Sequence, residues 1–147
     1  MIPLSELSPP PGHPSAKKLG EGSYAQVFES SWLGVPVAVK VFKATTVRAD
    51  CLEEMKREAA RVVNVVSPFV VRPLGLCLDN ECPCIVMELV KGRTLYTLLA
   101  DSSFSFPWLK RLRMLHRVAC GVAALHRAGV CHRDLKSLNI LVTAQGF

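Results

Sequence analysis

The feature that most narrows what this chain can be is the run Cys131-His132-Arg133-Asp134-Leu135-Lys136-Ser137-Leu138-Asn139. An imidazole, a carboxylate, an ammonium and a carboxamide fall close together and lead straight into the apolar Ile140-Leu141-Val142. A carboxylate at Asp134 can orient or deprotonate a hydroxyl. An ammonium at Lys136 can neutralise charge on a transferring phosphate, and the side-chain oxygen of Asn139 can ligate a hard cation. A polar turn before a strand accounts for the polarity of this run but not for the order of its members. The rest of the chain has to supply the context.

Upstream, Leu19-Gly20-Glu21-Gly22-Ser23-Tyr24-Ala25-Gln26-Val27-Phe28 places glycines where a tight turn lets backbone approach a phosphate. The β-prone residues that follow predict a hairpin here rather than a strand, loop and helix. Val35-Pro36-Val37-Ala38-Val39-Lys40-Val41-Phe42 reads as a buried strand, in which a lone Lys is costly unless it is paired or holds an anion. Over 49–64, Leu52, Met55, Ala59, Val62 and Val63 mark one helical face. Asp50 with Glu53 suits a capping box there, and Glu53 with Arg57 supports the solvent side. Two more strands follow at 70–78 and 84–88, with Pro73 out of place in a central strand. A short helix is expected over 94–101. A longer one is expected from Trp108 to Ala128, with Pro107 in its first turn and Gly129 as its stop. Its apolar stripe is Leu112, Leu115, Ala119, Val122 and Leu125.

At 147 residues, half of them apolar and a fifth charged, the chain can bury a core of its own. Residues 1–15 hold half of the ten prolines and read as a flexible leader, with order expected from Ala16. No basic region followed by an apolar run opens the sequence, and no stretch reaches the length of a membrane span, so the expected location is cytoplasmic. The net charge of +6 gathers in part at Lys110, Arg111, Arg113, His116 and Arg117. Without aromatic platforms or a nucleic-acid motif, these read as a solvated helix face, and no nucleic-acid partner is expected. The six cysteines (51, 77, 82, 84, 120, 131) lack paired zinc-ligand spacing and are expected reduced. His116 and His126 are read as structural.

Taken together, the chain from Ala16 onward resembles a eukaryotic-type protein kinase. The run at 132–139 has the order H-R-D-L-x-x-x-N, Val37-Ala38-Val39-Lys40 is similar to the strand motif V-A-I-K, and the 20–27 segment resembles the Gly-rich loop with Ala25 at its third glycine position. The closest likeness is to the tyrosine-kinase-like group of Ser/Thr kinases. The resemblance implies an α+β, protein-kinase-like fold: a five-stranded antiparallel N-lobe sheet with one helix over about 16–90, then the first C-lobe helices and the catalytic loop over about 91–147. It also implies ATP and Mg2+ as cofactors and a protein substrate. Gly20, Glu21, Gly22, Ser23 and Val27 would cover the nucleotide, while Ala38 and Leu141 sandwich adenine. Met87 would line the back of that pocket, and backbone groups of Glu88 and Val90 would bond the adenine edge. Lys40, held by Glu58 (or by Glu54), would orient the phosphates. Asp134 would act on the substrate hydroxyl, Lys136 would stabilise the transferring phosphoryl group, and Asn139 would ligate magnesium. Lys136, two residues after the Asp, favours Ser/Thr over Tyr.

The family's Asp-Phe-Gly segment is expected a few residues beyond Phe147. The chain therefore reads as a domain cut before its main magnesium ligand and inactive by itself, with the stripe on its long helix exposed to association. Two other readings stay open: a nucleotide-binding or partner-binding module without catalysis, and a basic nucleic-acid-binding protein.

Overall fold

Valine-rich, β-branched segments form the first part of the molecule because their stiff side chains pack well on a pleated surface. A computed structural model of the chain describes residues 1–22, 25–43, 60, 62–78 and 83–144. It resolves two units, Met1–Asn64 with Val71–Leu89, and Val65–Val70 with Val90–Phe147.

In the first unit, β1 (Leu7–Ser8), β2 (Lys18–Glu21), β3 (Ala25–Trp32), β4 (Val35–Phe42), β5 (Pro73–Cys77) and β6 (Cys84–Glu88) form a six-stranded sheet. Its order is β1-β3-β4-β6-β5, with β2 also on β3, and every pairing is antiparallel. β3 and β4 are joined by Leu33 and Gly34, whose φ values of +51° and +80° are the two positive angles a type I′ hairpin turn requires. β4 is the centre of the sheet. Val37 and Val39 are fully buried there, with Val86 of β6 beside them. Burying each such side chain stabilises the fold by roughly 1.5–3 kcal/mol.

The five strands expected from the sequence are present as β2–β6, but the segment over 1–15, read as a flexible leader, needs correction because it adds a sixth. The sixth strand is β1, which pairs Leu7 with Trp32 and Ser8 with Ser31. Ile2 and Leu7 are buried at 4% and 2% exposure in the same core as Val37, Val39, Cys77, Cys84 and Val86. Proline content limits the number of backbone states without preventing packing, and Ile2 and Leu7 bury against the sheet while β1 pairs with β3. Pro73 is likewise accommodated. β5 is the terminal strand of the sheet, and its register shifts between Pro73 and Gly75, so the missing N–H costs no central ladder bond. The helix expected over 49–64 lies almost wholly outside the described residues.

The second unit contains β7 (Gly92–Thr94), α1 (Leu95–Leu99), α2 (Trp108–Arg127) and β8 (Leu141–Thr143), with β7 and β8 antiparallel. Thr94 caps α1 by accepting the Thr97 N–H at 3.1 Å. Pro107 stands at the N-cap of α2. The helix ends in a Schellman arrangement: Gly129 (φ +71°) donates to His126 O, and the buried Val130 donates to Leu125 O. Leu95, Leu98, Met114 and Val142 form the core, with Phe104, Phe106, Val118 and Ile140 against it.

Of the stripe read from its sequence, the long helix buries Leu125, half-buries Val122 and leaves the other three exposed. Leu112 and Leu115 are 44% and 56% exposed, and Ala119 is exposed, whereas Met114, Gly121, Ala124 and Leu125 are buried. The reason lies in a close backbone approach. A Cβ at Gly121 would stand 2.7 Å from the carbonyl oxygen of Phe69, so the 65–70 segment can lie only against the helix face that carries glycine. Helix propensity alone makes Gly→Ala stabilising by about 1 kcal/mol. Here the sign reverses: Gly121→Ala is expected to destabilise by about 1–3 kcal/mol, read as a lowered thermal midpoint.

Candidate functional site

The polar loop ahead of β8 is shaped by its own backbone. Arg133 has φ +59°, and the N–H of Asp134 donates across it to His132 O at 2.8 Å, a three-residue turn of the rare, strained kind. Such strain persists only where neighbouring contacts over-determine it. Those contacts are at hand. The N–H of Asp134 also lies 3.3 Å from Nδ1 of His132. On the far side, a 3₁₀ turn at Ser137–Asn139, closed by Asn139 N–H to Lys136 O at 2.9 Å, folds the chain back.

The result is a convergent trio. Lys136 Nζ lies 2.8 Å from Asp134 Oδ1. Asn139 Nδ2 donates to Asp134 Oδ2 at 2.9 Å and to the Asp134 carbonyl oxygen at 2.7 Å. The Lys136 ammonium, then the Asn139 amide, hold the Asp134 carboxyl below the usual carboxylate range. Both charged side chains remain open to solvent, at 63% and 51% exposure for Asp134 and Lys136. With Nδ2 committed to Asp134, the atom Asn139 has to offer a cation is Oδ1, a hard oxygen that suits Mg2+. The loop is held to the body of its unit by β8 pairing with β7, where Leu141 stands opposite Thr94, and by Leu95 N–H to Ile140 O at 2.8 Å. Leu141 is 42% exposed.

In the first unit, Val27 pairs with Lys40 and Ala38 with Met87 across neighbouring strands. Directly opposed residues share a face of a sheet, so Val27, Ala38, Lys40 and Met87 lie on one face. Ala38 is buried at 7% exposure, and the half-buried Lys40 places its ammonium 5.4 Å from the centroid of Phe42. Gly20 and Gly22 sit at the end of the β2–β3 hairpin, which Gly22 N–H closes on Ala25 O at 2.8 Å. Glu21 is committed there to Lys18, to Lys43 at 3.0 Å and to Gln26 at 3.1 Å, and these partners, Lys18 first, bring its pKa to about 2. Glu88 ends β6 with its Oε1 accepting Arg72 N–H at 2.8 Å, which makes its carboxylate a strand tie. Val90 is half-buried at the start of the second unit's main segment. Ser23, Glu54 and Glu58 lie outside the described residues. The turn at Arg133 and the cations around Glu21 are absent from the sequence reading. Lys18 stands three residues before Glu21 and was detectable; Lys43 meets it only through strand pairing.

Residues 14–147 match the family described as protein tyrosine and serine/threonine kinase. The chain belongs to that family. Among similar proteins of Dictyostelium discoideum, "Probable serine/threonine-protein kinase drkD" is 33% identical over 96% of this chain. "Probable serine/threonine-protein kinase drkA" is 35% identical over 85% of it, and "Dual specificity protein kinase pyk3" is 35% identical over 86%. The chain spans 11%, 20% and 9% of the lengths of these three relatives. The kinase family uses ATP, usually with Mg2+. Among the described residues, no helix of this kinase chain is long and apolar enough to cross a membrane.

The charge geometry of the kinase loop fixes the sign of a titration. Because the folded-state pKa of Asp134 is depressed, any stabilisation from its ionised form is present above the unfolded value and is lost as pH falls through the folded one. Lys136→Ala removes the leading cause. A carboxyl-carbon NMR titration should then show Asp134 protonating at a higher pH than in the wild type, with Asn139→Ala giving a smaller rise.

Proposed function

We propose that this chain is part of a kinase domain that carries out ATP-dependent phosphoryl transfer to Ser and Thr hydroxyls of protein substrates, with a tyrosine-kinase-like assignment within the family, and that the 147 residues by themselves do not turn over. The observation that carries this reading is the Asp134–Lys136–Asn139 trio, in which one carboxylate is oriented by an ammonium and an amide on a single short loop. Asp134 accepts the hydroxyl proton of the substrate as its oxygen attacks the terminal phosphorus and the bridging P–O bond breaks. A carboxylate held below its ordinary pKa is a weak base, so its first task is to aim the hydroxyl, and the proton moves to it late. That order suits a loose transition state, which demands positioning and charge neutralisation more than a strong nucleophile. Lys136 is placed to neutralise the transferring group. Mg2+, held in part by Asn139 Oδ1, would supply charge neutralisation on the phosphates.

Lys40 is assigned to the phosphates of ATP. Gly20, Glu21, Gly22, Ser23 and Val27 are assigned to cover them, with Glu58 as the partner of Lys40. Ala38, Met87, Leu141 and the backbone of Glu88 and Val90 are assigned to adenine. For Val27, Ala38, Lys40 and Met87 the support is a shared sheet face. The cytoplasm is the proposed location, supported by Cys77, Cys120 and Cys131, which are thiols rather than disulfides.

Two measurements test the assignment. In a thermal-shift titration with ATP and Mg2+, the wild-type midpoint should climb with ligand, and Lys40→Ala should need roughly tenfold more nucleotide for the same rise. Equal responses from the two would remove Lys40 from the site. Peptide assays offering Ser, Thr and Tyr acceptors then separate hydroxyl classes, a question raised by the relative named as dual-specificity. Because residues 1–147 alone are expected to be inactive, the peptide assays use the chain extended through the Asp-Phe-Gly segment, and nucleotide binding without transfer there would point to a nucleotide-binding module.

A further inference from the structure

The first nine residues lie upstream of the kinase-family match, which begins at residue 14, yet they are built into the sheet. Their attachments reach both ends of it. At one end, β1 pairs with β3, Trp32 Nε1 donates to Glu6 Oε2 at 2.8 Å, and the buried Ser30 hydroxyl donates to Pro9 O at 2.8 Å. At the other, Ile2 N–H donates to Leu76 O of the terminal strand β5 at 2.8 Å. The Ile2 side chain fills the place where a Cβ of Gly75 would stand, 2.7 Å from that Cβ position. Between these anchors, Ile2 and Leu7 are buried against Val37, Val39, Cys77, Cys84 and Val86, with Leu4 and Leu74 alongside. The segment thus crosses from β3 to β5 over one face of the sheet.

That face is the reverse of the one assigned to the nucleotide. Strand residues alternate, so Val37 and Val39 point to the covered face while Ala38 and Lys40 point to the other. An uncovered row of Val37, Val39 and Val86 would leave the centre of the sheet packed from one side only. From this arrangement we infer that residues 1–9 are a built-in strap whose side chains, Leu7 and Ile2 above all, are positioning residues for Lys40. They act through β4, by packing the back of the strand whose front carries the lysine. The inference rests on the nucleotide-site reading for its consequence and on the packing alone for the strap.

The test uses the full chain as wild type, Leu7→Ala, the conservative Leu7→Met, and Gly121→Ala as a destabilised control in the other unit. Hydrogen exchange over 35–42 and Mg-ATP affinity are both read well below the unfolding temperature. Leu7→Ala is expected to lower the thermal midpoint, to speed exchange in β4 about tenfold and to weaken Mg-ATP binding about tenfold. Leu7→Met should restore most of both, and Gly121→Ala should change neither despite its lowered midpoint. Should Leu7→Ala not fold, Ser30→Ala releases the Pro9 anchor more gently and should show the same effects in smaller measure. The strap is refuted if the Leu7 and Ser30 variants exchange in β4 at the wild-type rate, or if Gly121→Ala reproduces their pattern. Its positioning role is refuted if β4 loosens while Lys40-dependent Mg-ATP affinity stays unchanged. If Lys40→Ala binds Mg-ATP as the wild type does, the nucleotide reading fails, and the exchange data still decide for or against the strap.

Discussion

β4 is paired on both sides, with β3 and with β6, and its valines at 37 and 39 have no exposed surface. Since strand side chains alternate, a strand so placed must be packed on one face before it can present anything useful on the other. The covered face gathers Val37, Val39 and Val86 with Ile2 and Leu7 from the start of the chain. The opposite face carries Val27, Ala38, Lys40 and Met87. A lysine on a central strand has its backbone fixed by two ladders, and the Lys40 ammonium stands 5.4 Å from the centroid of the neighbouring Phe42 ring. Rigidity bought by the hydrophobic face is what turns a flexible side chain into a defined charge.

The loop in the second unit solves the same problem by covalent proximity. Asp134, Lys136 and Asn139 are separated by so few bonds that one tight turn at Arg133 and one 3₁₀ turn bring all three together. The carboxylate is solvent-exposed, so its orientation comes from hydrogen bonds and charge, with Lys136 and Asn139 each taking one oxygen. The two regions therefore differ in what would damage them. Apolar substitutions far away in sequence disturb the lysine, whereas only residues of the loop itself, or the β7–β8 pairing beneath it, disturb the carboxylate.

Local chemistry was legible from the sequence by itself. The order of His132, Asp134, Lys136 and Asn139 is a property of adjacent residues, and the hairpin at Gly20–Gly22 follows from glycines between β-prone segments. The alternating valines around Lys40 announce a strand for the same reason. Family membership rests on these segments and their order, and needs no knowledge of packing. What only the tertiary structure decided were the long-range choices. Nothing in a proline-rich leader shows that Ile2 will fill the space left by Gly75, since the partner is 73 residues away and becomes a neighbour only when the sheet forms. Pro73 is harmless because β5 is a terminal strand, a matter of topology. The buried face of α2 follows Gly121 and the backbone of Phe69 and takes only Leu125 fully from the apolar stripe, because a helix can bring its axis nearest to another chain segment only where a side chain is missing. Spacing along the chain specifies short-range chemistry, while burial depends on which surfaces meet, and that is a property of the folded whole.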